Sequence, residues 1–304
     1  MMIQESIVHL KKRKNAIILA HYYTLPEVQD IADFVGDSLA LSKQAAETNA
    51  DIILFAGVHF MAETAKILSP SKKVLLPDVN AGCSLADSCK ADELEVFLKD
   101  LPNHKVLSYI NCSAKVKTLS DIIVTSGNAL KVVNSLPENE KIVFTPDRNL
   151  GAFINKQTER KMILWNGACH VHDQITANDV YHLKAKYPKA KVMAHPECKE
   201  AVLDLADFIG STAAMLTFSK NDSSSEYLIA TESGILYEMK KQNPQKQFYV
   251  VNNTNTCACN ECEYMKLNTL EKIHDALLTE SPEIVLEKDI IYNALKPIQK
   301  MLEY

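Results

Sequence analysis

Short apolar runs alternate along the chain with longer amphipathic stretches. The runs at residues 16–20, 51–56 and 73–77 are rich in leucine or β-branched residues, which is typical of strands. Stretches of helical length separate the runs. Because parallel strands need long crossover connections, which are usually helices, the pattern predicts an α/β protein with parallel sheets.

One pattern occurs three times. It stands at residues 32–41 (ADFVGDSLAL), 120–130 (SDIIVTSGNAL) and 206–216 (ADFIGSTAAML). Asp33, Asp121 and Asp207 are then in register, at offsets of 88 (121 − 33) and 86 (207 − 121). Self-similarity at a fixed period indicates a repeat architecture.

The same offsets align polar residues at the ends of predicted strands and the starts of predicted helices. The aligned sets are His21, Tyr109 and His195; Tyr23, Asn111 and Glu197; and Ser38, Ser126 and Thr212. Any parallel α/β protein gives loosely similar segments, so one match would be weak, but four segments recur in the same order. We predict three homologous three-layer α/β/α (Rossmann-like) domains with short parallel sheets, related by pseudo-threefold symmetry around a central active site.

The predicted domains have simple boundaries. Residues 1–103 hold an N-terminal helix and the first repeat, residues 104–188 the second, and residues 189–304 the third with C-terminal helices. Ligands of parallel sheets bind beyond the carboxyl ends of the strands. The aligned residues are therefore expected to face one site.

Each class of aligned residue predicts a chemistry. His21 and His195 are candidate proton carriers, and Glu197 is a candidate general base. Ser38, Ser126 and Thr212 are candidate helix N-caps, and three helix ends at one site would favour a ligand with several anionic groups. The other histidines are interpreted as structural: His9, His59, His104, His170, His172, His182 and His274.

Eight cysteines without a secretion signal favour metal or thiol chemistry over a disulfide framework. Cys83 and Cys169 are in register (169 − 83 = 86), and the third copy offers Cys257, Cys259 and Cys262. That local group is typical of zinc, but a structural zinc site needs four ligands. One cysteine per repeat instead favours a cubane iron–sulfur cluster with one open iron. The cysteines expected in the core are Cys89, Cys112 and Cys198.

Composition narrows the class of protein. The 304 residues include 33 basic and 38 acidic ones, and no basic block suggests a nucleic-acid partner. The start lacks the apolar core of a signal peptide, and no apolar run is long enough for a membrane span. We expect a cytoplasmic protein without a membrane or nucleic-acid partner.

Motifs along nearly the whole chain resemble those of the quinolinate synthase family. They are AHYY (20–23), GDSL (36–39), FAGVHFMAETA (55–65), LLPDVNAGCSLAD (75–87), SYINCSA (108–114), VTSGNA (124–129), TPDRNLG (145–151), WNGACHVH (165–172), AHPEC (194–198), IGST (209–212), ATESG (230–234) and the C-terminal cysteines followed by YMKLNTLEKI. The resemblance implies three homologous α/β domains and a 4Fe-4S cluster on three cysteines. It also implies condensation of iminoaspartate with dihydroxyacetone phosphate to quinolinate in de novo NAD biosynthesis.

The resemblance also assigns roles by residue. It implies Cys83, Cys169 and Cys262 as cluster ligands, and Tyr23 as an acid or base. The residues implied around the substrates are His21, Ser38, Tyr109, Asn111, Ser126, His195, Glu197 and Thr212. An L-aspartate oxidase or aspartate dehydrogenase would supply iminoaspartate. Many relatives have three cysteines spaced by two residues, whereas Thr256 stands at the first of those positions, so Cys259 stays an alternative ligand and its disulfide role is in doubt.

Two other functions remain open. One is a different 4Fe-4S-dependent dehydratase of a small polycarboxylate. The other, from a different class, is a non-catalytic zinc or redox-sensing protein that uses only the C-terminal cysteines. This second reading leaves the aligned His, Tyr, Ser and Glu residues unexplained.

Overall fold

The structure is a computed structural model that describes residues 2–252 and 260–304. The elements of the first repeat are α1 Ile3–Arg13, β1 Ala16–His21, α2 Pro26–Ile31, β2 Phe34–Gly36, α3 Ser38–Glu47, β3 Ile52–Ala56, α4 His59–Leu68, β4 Lys73–Leu75, α5 Ser84–Asp87 and α6 Ala91–Lys99. Those of the second are β5 Lys105–Tyr109, α7 Ala114–Thr118, β6 Ile122–Val124, α8 Ala129–Ser135, β7 Ile142–Thr145, α9 Arg148–Thr158, β8 Ile163–Leu164, α10 His170–Asp173 and α11 Ala177–Lys186. The rest are β9 Lys191–Ala194, α12 Glu200–Leu203, β10 Phe208–Ile209, α13 Thr212–Asn221, β11 Glu226–Ala230, α14 Ile235–Gln242, β12 Gln247–Val250, α15 Glu263–Lys266, α16 Leu270–Thr279 and α17 Lys288–Leu302.

Each repeat forms one four-stranded sheet, and the strand order is the same in all three. The orders are β2-β1-β3-β4, β6-β5-β7-β8 and β10-β9-β11-β12. Every strand pairing within these sheets is parallel. The predicted fold class is therefore confirmed. The exact domain boundaries remain a prediction.

The aligned aspartates have one structural role. The carboxylates of Asp33, Asp121 and Asp207 each accept a hydrogen bond of 2.8 Å from a backbone N–H of the neighbouring central strand. The donors are the amides of Ile18, Val106 and Val192. Each aspartate thus fixes the start of an edge strand beside its central strand, which explains why this position repeats.

Removing one of these carboxylates should destabilise the fold. Asp207→Ala leaves the amide of Val192, which is buried, without its acceptor, so we expect a loss of about 1–3 kcal/mol of unfolding free energy. Asp204→Ala is the control, because the exposed Asp204 pairs with Lys156 on the surface and its loss should change stability by less than about 0.5 kcal/mol. The midpoints of urea unfolding measure the difference. Equal midpoints for the two variants would contradict the role of Asp207.

The C-terminal helices pack away from the repeat that they follow. Helix α16 packs on α1, where Ile273 and Leu277 join a core with Ile7 and Leu10. Helix α17 contributes to a core that the first and second repeats share. Among the described residues, no helix combines the length and apolar character needed to cross a bilayer.

Candidate active site

One cavity lies where the carboxyl ends of strands from the three sheets converge. The cavity is partly open to solvent. Its wall includes every site residue predicted from the sequence: His21, Tyr23, Ser38, Cys83, Tyr109, Asn111, Ser126, Cys169, His195, Glu197, Thr212 and Cys262. The structure therefore brings together residues that lie up to 241 positions apart (262 − 21).

The central strands end in side chains that are almost fully buried. His21 and Tyr109 are the last residues of β1 and β5, and His195 directly follows β9. Each of these three is at most 5% exposed, and Glu197 is 2% exposed. Strand geometry thus directs one polar residue per repeat into the cavity.

The predicted N-caps are wrong. The cap of α3 is Asp37, which accepts from the amide of Ala40, and the cap of α13 is Ser211, which accepts from the amide of Ala214. Because the preceding residue does the capping, Ser38 and Thr212 are instead the first helical residues and line the cavity. The third candidate, Ser126, is neither a cap nor a helical residue.

Ser126 lies three positions before α8, which begins at Ala129, and two positions before the cap position, Asn128. The Ser126 hydroxyl lies 3.2 Å from Nε2 of His195. Nδ1 of His195 lies 3.2 Å from the Glu197 carboxylate. A hydroxyl, an imidazole and a carboxylate therefore follow one another across the interface of the second and third repeats.

A second set of contacts starts at the same carboxylate. Nδ1 of His172 lies 3.0 Å from Glu197, and its ring stacks on His195 with centroids 4.7 Å apart. Nε2 of His172 lies 2.8 Å from Oγ1 of Thr231, which lies 2.9 Å from the hydroxyl of Tyr23. Polar groups thus connect Tyr23 to Glu197 across the cavity wall.

Sequence reasoning missed His172 and Thr231. It classed His172 with the structural histidines, although this residue follows Cys169 by three positions in the WNGACHVH motif. Thr231 directly follows β11, and the rule that strand ends carry site residues applies to β11 as well as to β9. Thr231 could have been found by extending that rule to β11, whereas His172 lies on α10 and follows no strand end.

Burial sets the protonation of several groups. Burial lowers the pKa of His21 to about 3, helped by the charges of His195 and Lys266, so its imidazole is neutral at pH 7. The amide of Tyr23 donates to Nδ1 of His21, which places the proton of the neutral ring on Nε2. Burial also raises the pKa of the Tyr23 hydroxyl well above its usual value, which keeps this phenol protonated.

Glu197 is held as a carboxylate by its neighbours. Burial alone would raise its pKa, but His172 and His195 hold the pKa below its usual range. Within the described part of the chain, no group donates a hydrogen bond to Oε1 of Glu197 or to Oδ1 of Asn111, although both atoms are buried. These two acceptors are therefore free to pair with a bound molecule or with water in the cavity.

The three predicted ligand cysteines occupy equivalent places. Cys83, Cys169 and Cys262 are the residues that directly precede the one-turn helices α5, α10 and α15. All three are free, partly exposed thiols. Burial raises the pKa of Cys83 to about 12 and that of Cys262 to about 11, so these thiols are protonated unless a metal displaces the proton.

The donor set around Cys169 is compatible with metal binding. Donor atoms of Cys169, His172 and Glu197 lie within 4.8 Å of one another. The alternative ligand Cys259 and its neighbour Cys257 lie outside the described residues. The remaining cysteines are buried in cores, as expected from the sequence: Cys89, Cys112 and Cys198.

Comparisons with known proteins identify the family of this chain. Residues 5–303 match the family described as Quinolinate synthetase A protein. The chain is 56% identical to the quinolinate synthase of Thermosynechococcus vestitus and 55% identical to that of Rippkaea orientalis. These matches cover 98% of this chain and 94% and 92% of the relatives, respectively. The chain therefore belongs to the quinolinate synthetase A family and is an enzyme of the quinolinate synthase type.

Proposed function

We propose that this protein condenses iminoaspartate with dihydroxyacetone phosphate to form quinolinate, phosphate and water in NAD biosynthesis. The observation that carries the proposal is the single cavity on which three cysteines and the aligned His, Tyr, Ser and Glu residues converge. The names of the relatives support the product. The iminoaspartate would come from an L-aspartate oxidase or an aspartate dehydrogenase.

The cavity suits a 4Fe-4S cluster on three cysteines. Cys83, Cys169 and Cys262 are free thiols that line the same cavity, and each directly precedes a one-turn helix. Three thiolates leave one iron of a cubane without a protein ligand. When bound, the cluster supplies a Lewis acid for loss of water from the substrate.

Helix ends and hydroxyls would bind the anionic groups of both substrates. Ser38 and Thr212 open the ten-residue helices α3 and α13, whose N-termini favour carboxylate and phosphate. Asn111 adds a side-chain amide, and Ser126 a hydroxyl beside His195. Iminoaspartate has two carboxylates and the triose has one phosphate, so these four residues would serve three anionic groups.

The proton carriers would act from opposite sides of the bound substrates. Glu197, as a carboxylate flanked by two imidazoles, would accept protons and pass them to His195. The Tyr23 phenol would donate a proton during loss of phosphate and isomerisation. His21 would donate a hydrogen bond from Nε2, because its Nδ1 already accepts from the Tyr23 amide.

An anaerobic assay tests the proposed reaction. Oxaloacetate and ammonia generate iminoaspartate, and the addition of dihydroxyacetone phosphate should give quinolinate and phosphate in equal amounts. Chain purified anaerobically should be brown and contain about four irons. A brown protein that forms no quinolinate would favour another dehydratase, and a colourless zinc protein would favour the sensor reading.

A pair of threonines on α13 tests the binding of anionic groups. Thr212→Ala should raise a substrate KM by about tenfold or more, because a hydrogen bond to a charged group is lost. Thr217→Ala is the control, since Thr217 is exposed and its hydroxyl donates to the carbonyl of Ala213 in the preceding turn of the helix. Steady-state kinetics of both variants give the comparison. An unchanged KM in Thr212→Ala would remove this residue from the binding site.

A further inference from the structure

We propose that the buried Glu232 and the partly exposed Lys266 form an ion pair that positions Cys262 and Tyr23, the candidate cluster ligand and the candidate acid. Neither Glu232 nor Lys266 was singled out from the sequence. Glu232 is fully buried, and Oε1 of its carboxylate lies 3.0 Å from Nζ of Lys266. The inference rests on the proposed function, because that function gives Cys262 and Tyr23 their roles.

The Glu232 carboxylate holds the backbone at two points. Oε1 accepts a hydrogen bond of 3.1 Å from the amide of Cys262. Oε2 accepts a bond of 2.6 Å from the amide of Gly234. Both oxygens are thus used, and one of them fixes the backbone from which the Cys262 sulfur projects.

Lys266 connects the ion pair to the first repeat. Its Nζ donates a bond of 2.7 Å to the backbone carbonyl of Tyr23. Lys266 belongs to α15, the one-turn helix that begins directly after Cys262. Tyr23 is therefore held twice, by Lys266 at its carbonyl and by Thr231 at its hydroxyl.

In the second repeat, an acidic residue at the position equivalent to Glu232 also binds the amide of a candidate ligand cysteine. Asp147 stands two residues after β7, as Glu232 does after β11, and its buried carboxylate accepts a bond of 3.1 Å from the amide of Cys169. In the first repeat, the equivalent residue is Val58, which has no side-chain acceptor. Because this hydrogen bond occurs in two repeats, we infer the same role in both, which is to hold the backbone of a candidate ligand cysteine. The third repeat adds Lys266, which contacts Tyr23.

Close packing at Gly234 supports this arrangement. A Cβ atom added there would lie 2.8 Å from Oε2 of Glu232, 2.8 Å from Cα of Tyr23 and 3.0 Å from Nζ of Lys266. A glycine is therefore needed for the three groups to meet. The ATESG motif is thereby explained, since its Thr, Glu and Gly each contact Tyr23 or the ion pair.

The pair would act through other residues rather than on substrate. Groups that hydrogen-bond metal ligands fix the ligand orientation, and their loss typically weakens metal binding by about 10–100-fold. Loss of Glu232 would free the backbone at Cys262. Loss of Lys266 would leave a buried carboxylate without its partner and free the Tyr23 carbonyl.

Iron release measures the effect on the cluster. Glu232→Gln, Lys266→Met and the wild type are purified anaerobically as full chains with their cluster and are then exposed to an iron chelator. We expect both variants to release iron at least about tenfold faster. Glu140→Gln is the matched control, because Glu140 also lies 3.0 Å from a lysine, Lys105, but before β7 and away from the cavity.

Hydrogen exchange gives a readout that does not depend on the cluster. In Glu232→Leu and Glu232→Gln, a peptide with Cys262 should exchange about tenfold faster, and a peptide with Cys169 should not change. The second peptide also shows that the fold is retained. Unchanged exchange at Cys262 would overturn the inference, as would unchanged iron release.

The two proposals fail in different ways. A wild-type chain that binds no iron–sulfur cluster would overturn the proposed cofactor, and hydrogen exchange at Cys262 would still decide the role of Glu232. A cluster that is as stable in both variants as in the wild type would overturn the positioning role and leave the proposed cofactor intact.

Discussion

Cys262→Ala should lose the iron–sulfur cluster and lower turnover to background, whereas Cys89→Ala should keep both. Cys262 lines the cavity and precedes a one-turn helix, as Cys83 and Cys169 do. With two thiolates left, a cubane would expose two irons and would not be retained. Cys89 is 1% exposed and lies in a separate hydrophobic cluster, so its loss should affect packing alone.

Iron and sulfide content, absorbance and quinolinate formation measure the outcome under anaerobic conditions. Cys259→Ala completes the set, because the sequence left Cys259 as the alternative third ligand. If Cys259→Ala loses the cluster while Cys262→Ala keeps it, the assignment of Cys262 is wrong. If neither variant loses it, the cluster does not depend on the C-terminal cysteines.

The repeat made most of the fold predictable from the sequence. Asp33, Asp121 and Asp207 align because each makes the same hydrogen bond to a backbone amide of its central strand. This shared bond explains why the repeat is visible in the sequence. The packing of α16 on α1 had no such signal. Contacts between distant parts of the chain depend on side-chain fit, which one sequence does not encode in a readable pattern.

The candidate site was predictable where residues repeat and not where they act once. His21 and His195 were found because the register aligns them. His172 aligns with no histidine in the other repeats. Its place in the site is evident only from its contacts with Glu197 and Thr231 in the structure. The capping prediction failed at Ser38 because a one-residue shift separates a cap from a first helical residue, and only backbone geometry distinguishes them.

A large fall in turnover with the cluster retained is expected from Tyr23→Phe. The Tyr23 hydroxyl lies in the cavity wall, 2.9 Å from Thr231, and burial keeps its pKa well above the usual value. It is therefore a protonated acid at the end of the polar chain that leads to Glu197. Loss of a positioned acid typically lowers the rate by about 10²–10⁴-fold, so kcat should fall by this amount.

The neighbouring tyrosine provides the control for this prediction. Tyr22 packs against the same core of the third repeat as Tyr23 but is not part of the cavity wall, so Tyr22→Phe should keep kcat and KM near those of the wild type. Tyr23→Phe should keep its KM, because the phenyl ring still fills the same place and the anionic groups of the substrates bind elsewhere. A fall in kcat alone therefore indicates proton transfer. A rise in KM with kcat unchanged would make Tyr23 a binding residue, and wild-type turnover would exclude it from the chemistry.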